Sequence, residues 1–176
     1  YSFQFSILAL ILSILGILTL KKAKLEELNK KLHYSLLIIS ILFMLLFRII
    51  PYLNNNIPLG YDTGIYKYGI ENGLKNLDNW ILQGGLEPGF LYLMELFKFL
   101  FSTQFILTYL LILFSVLLGI SIYFVTKEYF NKQIALISIL LYSLSLIQFK
   151  TFWFMYYKNI VGLSFMLFSL YFLKKS

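Results

Sequence analysis

FILTYLLILFSVLLGISIYFVT, residues 105–126, runs for 22 positions without a charged side chain. A helix needs about 20 apolar residues to cross the hydrocarbon core of a bilayer. This stretch is long enough, and it sets how the rest of the chain is read. Similar runs recur on both sides of it, at 3–20, at 34–50 with Arg48 near one end, and at 133–149. A further run at 155–173 joins a short apolar core, 160–173, to the aromatic approach Thr151 to Tyr157. The expected fold class is all-α: a multi-span transmembrane helical bundle of about five spans, forming one domain.

Composition leads to the same class. Of 176 residues, 60% are hydrophobic and 13% charged, against roughly 45–50% and 25% in an ordinary soluble domain. A soluble chain near 150 residues hides only about 70% of its surface, too little for this apolar excess. Aromatic residues reach 19%, which excludes disorder. There is no cysteine, so disulfides, thiolate metal sites and cysteine nucleophiles are excluded. The single His33 excludes any site needing two histidines, and it reads as a solvated or headgroup-facing residue.

The net charge of +7 could point to nucleic acid, but the lysines gather at the ends of apolar runs. That placement is the cytoplasmic bias of Lys and Arg. Lys21, Lys22 and Lys24 follow the first run rather than precede it, so the run reads as a span and not a signal peptide. Residues 21–33 carry five lysines and are expected in the cytoplasm, which puts 51–104 outside the cell membrane. The chain opens on Tyr1 rather than Met, within an apolar run, and reads as the N-terminal part of a longer protein.

The outer segment differs in kind. Residues 51–100 hold all three prolines, seven of ten glycines and five of eight acids. Loops this long are commonly functional, and the aromatic content here predicts a folded one with short juxtamembrane helices. Tyr66, Ile70, Leu74 and Leu77 make one apolar stripe at helical spacing. Pro88 is suited to a first helical position and opens a second helix to about Phe101, with Glu95 and Lys98 as a polar edge. That helix is amphipathic and too short to span, so it is expected at the interface.

The densest cluster of polar chemistry is GYDTGIYKYGIENG, residues 60–73. Asp62 has two readings, a helix cap or a carboxylate that deprotonates an acceptor hydroxyl or holds a metal. Glu87, in LEPGF at 86–90, either stabilises the helix that follows or shares the site with Asp62. Arg48 either snorkels to the headgroups or binds a lipid-linked phosphate, and Lys158 in YYKN either binds such a phosphate or anchors its helix at the interface. Tyr52, Tyr61, Tyr66, Tyr68, Trp80, Trp153, Tyr156 and Tyr157 fall at expected interfaces, where aromatic belts account for most of them. Tyr61 and Tyr66 are also candidates for contact with substrate.

The order of features resembles the N-terminal part of GT-C-type glycosyltransferases, membrane enzymes that use polyprenyl-phosphate-linked sugars. The residues that carry the resemblance are Pro58-Leu59-Gly60-Tyr61-Asp62 with Tyr66, then Leu86-Glu87-Pro88, then Tyr157-Lys158-Asn159, over roughly residues 34–176. It implies that Asp62 is the outer-loop aspartate, acting as base or as ligand to a divalent cation (Mg or Mn), and that Glu87 is its acidic companion. Lys158 stands where related sequences often carry Arg. LEPGF and the outer aspartate are also similar to Wzy-type polysaccharide polymerases. The expected function is transfer of a sugar from a polyprenyl-phosphate carrier to a glycan, lipid or protein acceptor at the outer face of the membrane. The alternatives are such a polymerase and a non-enzymatic transporter or scaffold.

Overall fold

The computed structural model describes residues 29–53, 60, 62–73, 88–145, 150 and 156–176. The expected first span at 3–20, and Tyr61, Leu74, Leu77, Trp80, Glu87 and Trp153, lie outside them. Among the described residues every element is helical and there is no strand, in agreement with the all-α expectation.

Helix α1, Lys30–Ile49, starts where the Asn29 side chain accepts a bond from Lys31 N at 3.1 Å. It tightens into a 3-10 turn, Ile50–Tyr52, at Pro51, which has no N–H to continue the ladder. Helix α2, Thr63–Asn72, stops at Gly73, whose φ of 68° is the left-handed conformation that ends helices at glycine. Of the expected stripe, Tyr66 and Ile70 lie buried on this helix. Helix α3, Pro88–Lys98, begins at the proline as expected and ends three residues earlier than Phe101. Helix α4, Thr103–Tyr129, is capped by Ser102, which accepts from Phe105 N at 3.2 Å, and contains a π-helical turn at Ile106–Leu110. Asn131 caps α5, Lys132–Leu144, through Ile134 N at 2.8 Å. Helix α6 is Tyr157–Lys175.

Helix α4 is the axle of the molecule. It packs against α1, α5 and α6, and 67% of its apolar stretch is buried, against 17% for α1. Closest approach comes at Gly119. A β-carbon there would sit 2.7 Å from Met44 Sδ and 3.1 Å from a Tyr142 ring carbon. Met44 is fully buried and Tyr142 nearly so, so neither has room to retreat. Gly119→Val is expected to cost about 1–3 kcal/mol by overpacking, read as a lower midpoint in thermal unfolding in detergent.

Polar side chains fasten the bundle from within. Tyr142 donates to Ser115 O on α4 at 3.0 Å, and Ser164 donates to its own helix at Ile160 O at 2.7 Å. His33 is buried rather than solvated as expected, with Nε2 3.0 Å from the Tyr123 hydroxyl. Arg48 is only 2% exposed, its guanidinium 5.8 Å from the centre of the Tyr142 ring. The expected snorkelling is thus replaced by a cation held between α1 and α5, since an aromatic face attracts a desolvated guanidinium. Tyr52, Tyr66 and Tyr157 are also core residues and not belt residues, while Tyr68 and Tyr156 do face outward.

Apolar side chains cover much of the outside. Ile38, Leu42 and Leu46 on α1 and Leu163, Met166 and Phe172 on α6 are all exposed. Continuous apolar surface on this scale marks contact with lipid or a partner. Lys30–Tyr52 and Thr103–Tyr129 are long and apolar enough to cross a bilayer, at about 34 and 40 Å against a core of about 30 Å. Helix α5, at 13 residues, reaches only about 20 Å. The rest of its expected run, to residue 149, falls mostly outside the described residues.

Candidate active site

Four helices meet at Tyr157, the first residue of α6. Its side chain is fully buried. The ring centre lies 5.3 Å from Phe90 on α3, 6.3 Å from Tyr66 on α2 and 6.2 Å from Phe114 on α4. Tyr66 and Phe90 close the triangle at 5.4 Å. These edge-to-face contacts are the favoured aromatic geometry. The Tyr157 hydroxyl donates to Ile106 O at 2.8 Å, at the π-turn of α4. Such turns recur at functional sites.

Asp62 lies one turn along α2 from this knot, and Tyr66 N donates to Asp62 O at 3.1 Å. Asp62 occupies the N-cap position, yet its carboxylate makes no capping bond. The turn before the helix is closed instead by Thr63, whose hydroxyl donates to Gly60 O at 2.9 Å. Gly60 has φ 143°, a conformation that L side chains avoid. Capping is therefore not what the half-buried carboxylate does.

A pocket of about 310 Å³ opens beside Phe90, between the starts of α3 and α6. Gly89, Phe90 and Leu93 line it from α3, and Lys158, Val161 and Phe165 from α6. Its walls are mostly apolar, with the half-buried Lys158 as the cation. An apolar slot with one cation and two helix N-termini suits an anionic group attached to a hydrocarbon chain. The structure thus brings Asp62 and Lys158 to one end of the bundle. Tyr66, expected to touch substrate, is 3% exposed and builds the wall behind the site instead. Arg48 is enclosed between α1 and α5, and Tyr61 and Glu87 lie outside the described residues. Among those residues no group of three His, Cys, Asp or Glu could hold a metal ion.

Helix α2 is fixed at its far end by Lys98 of α3. Its ammonium donates to Ile70 O at 3.0 Å and to Glu71 O at 2.8 Å, satisfying carbonyls that a helix C-terminus leaves open. A hollow of about 430 Å³ lies beside this contact, lined by Glu71, Asn72, Glu95 and Phe99 among others. Nothing local in the sequence announces a bond across 28 residues. Lys98→Met is expected to loosen the last turn of α2 by about 1 kcal/mol. Hydrogen exchange at the amides of residues 68–73 would then speed up roughly five-fold, with α4 unaffected.

A family profile for dolichyl-phosphate-mannose-protein mannosyltransferase matches residues 87–176. The chain belongs to this family. The match bears out the resemblance to GT-C-type glycosyltransferases. It spans α3 to α6, and so takes in Glu87, Tyr157, Lys158 and the walls of the pocket, while Asp62 precedes it. No curated protein and no solved structure matches the chain. As a member of a membrane mannosyltransferase family with two helices able to cross a bilayer, the protein is placed in a membrane.

Proposed function

We propose that the protein transfers a sugar, mannose by its family, from a polyprenyl-phosphate carrier to an acceptor hydroxyl at the outer face of a multi-spanned membrane. The observation that supports this reading is one aromatic knot that joins the helix bearing a carboxylate not used for capping to Phe90, in the wall of an apolar pocket with a cation. The carrier's phosphate sits at Lys158, and its first isoprene units lie along Phe90, Leu93 and Phe165. Asp62 accepts the proton of the acceptor hydroxyl. The acceptor oxygen attacks the anomeric carbon as the bond from that carbon to the phosphate oxygen breaks. Polyprenyl phosphate leaves with the electron pair, and the Lys158 ammonium offsets its charge. Glu87, next to Pro88 in the sequence, stays the second acidic candidate and lies outside the described residues. A divalent cation would need Glu87 or acceptor oxygens beside Asp62, and the steps given do not pass through one.

Orientation follows from charge. Asp62 and Lys158 share one end of the bundle, while Lys30, Lys31, Lys127, Lys132, Lys174 and Lys175 mark the other ends of α1, α4, α5 and α6. The lysine-rich end belongs in the cytoplasm, which faces the site outward. Lys158→Gln in the whole protein is expected to raise the KM for the lipid-linked sugar about ten-fold with a smaller change in kcat. An unchanged KM would remove the phosphate from Lys158.

A further inference from the structure

The lysine-rich end has a local geometry that topology alone does not require. Helices α4 and α6 run parallel and finish together, with the Phe124 and Tyr171 rings 5.3 Å apart. Lys174 Nζ lies 6.0 Å over the Tyr129 ring, and Lys175 Nζ donates to the Tyr171 hydroxyl at 3.1 Å. Only Phe130 and Asn131 separate α4 from α5, so Lys127 and Lys132 flank the same corner. The bond between His33 and Tyr123 brings the start of α1, with Lys30 and Lys31, to this end as well. All six lysines are exposed, and Glu128 is the one acid in the described parts of this end. Directly beside them lie exposed apolar side chains, Leu32 and Tyr34 on α1 and Leu170, Phe172 and Leu173 on α6.

We infer that this corner is a binding surface for anionic phospholipid headgroups. Charge and apolar surface meet at one level, which is what a phospholipid presents: a negative phosphate or glycerol-phosphate group directly above its acyl chains. A soluble anion would use the lysines and leave the apolar flank bare. A cluster of four to eight cations next to membrane helices is the usual composition of an anionic-lipid site. The rings of Tyr129 and Tyr171 keep Lys174 and Lys175 at the surface rather than splayed into water, so the charges are presented together. The surface lies at the opposite end of α4 and α6 from Asp62 and Lys158, and it stands whether or not the protein is a transferase.

The test is lipid selection by the protein in nanodiscs of phosphatidylcholine with a minor share of phosphatidylglycerol, read by native mass spectrometry of the lipids that remain bound. Phosphatidylglycerol should be enriched over its share in the disc. Lys127→Gln, Lys132→Gln, Lys174→Gln and Lys175→Gln combined should cut that enrichment at least ten-fold, since each lysine near such a surface is worth about five-fold. Lys67→Gln, exposed on α2 at the other end, should leave it unchanged. If the four-fold variant does not fold, raising the salt on the unmodified protein decides, because enrichment must then fall. Equal retention of both lipids, or an enrichment that salt and the four substitutions leave untouched, overturns the proposal. Displacement by millimolar inorganic phosphate overturns it too, as a site for a free anion.

Discussion

Asp62→Ala in the whole protein is expected to lower the rate of glycosyl transfer by about 10²–10⁴-fold, the usual contribution of a positioned general base. Folding should be untouched. Had Asp62 capped α2, its removal would cost about 0.5–2 kcal/mol, but its carboxylate makes no capping bond and Thr63 closes the turn on Gly60. The thermal midpoint in detergent should therefore match that of the unmodified protein, and Asp62→Asn should lose as much activity as alanine. This combination separates chemistry from structure. A variant that loses stability but keeps its rate would return Asp62 to the role of a cap.

The second large effect is on stability. Tyr157→Ala empties the point where α2, α3, α4 and α6 meet and is expected to cost about 3–5 kcal/mol, as for other buried aromatic side chains. Tyr157→Phe keeps the ring contacts with Phe90, Tyr66 and Phe114 and removes only the bond to Ile106 O. Its cost should be about 1–2 kcal/mol. The two variants should also differ in activity. The phenylalanine form should keep most of its rate, because Tyr66 and Phe90 still hold the Asp62 end of α2 and the pocket in register. The alanine form should lose binding of the lipid-linked sugar along with stability. Chemical denaturation in detergent, followed by donor KM, reads both. Equal stability of the alanine and parent proteins would mean that the knot does not hold the four helices together.

Much of the frame could be read from local sequence. The charge-free run at 105–126 became the central helix because length and apolarity alone decide that outcome. Pro88 set a helix start because its backbone preference acts without neighbours, whereas the apolar spacing carries past Gly73 and misses the end of α2 there. Asp62 was legible as a position but not as a state. Whether a carboxylate caps depends on which side chain closes the turn, and here Thr63 and Gly60 do so. The misread residues all depend on partners far along the chain. His33 pairs with Tyr123 across 90 residues and Tyr157 with Ile106 across 51, and Arg48 needs the Tyr142 ring. Tyrosine suits both a membrane interface and a buried core with one hydrogen bond, so composition could not separate Tyr66 and Tyr157 from Tyr68 and Tyr156.

The central claim is that the sugar arrives on a polyprenyl phosphate held against Lys158 and leaves onto a hydroxyl activated by Asp62. Its most direct measurement is a donor comparison with the whole protein in membranes lacking other transferases. Labelled mannose is supplied either as polyprenyl-phosphate mannose or as a nucleotide-linked mannose, with and without Asp62→Ala. Label should pass to the acceptor fraction from the polyprenyl carrier alone, with free polyprenyl phosphate released in equal amount, and the substitution should stop both. Transfer from the nucleotide sugar alone, or transfer from the polyprenyl carrier that Asp62→Ala leaves intact, would contradict the account.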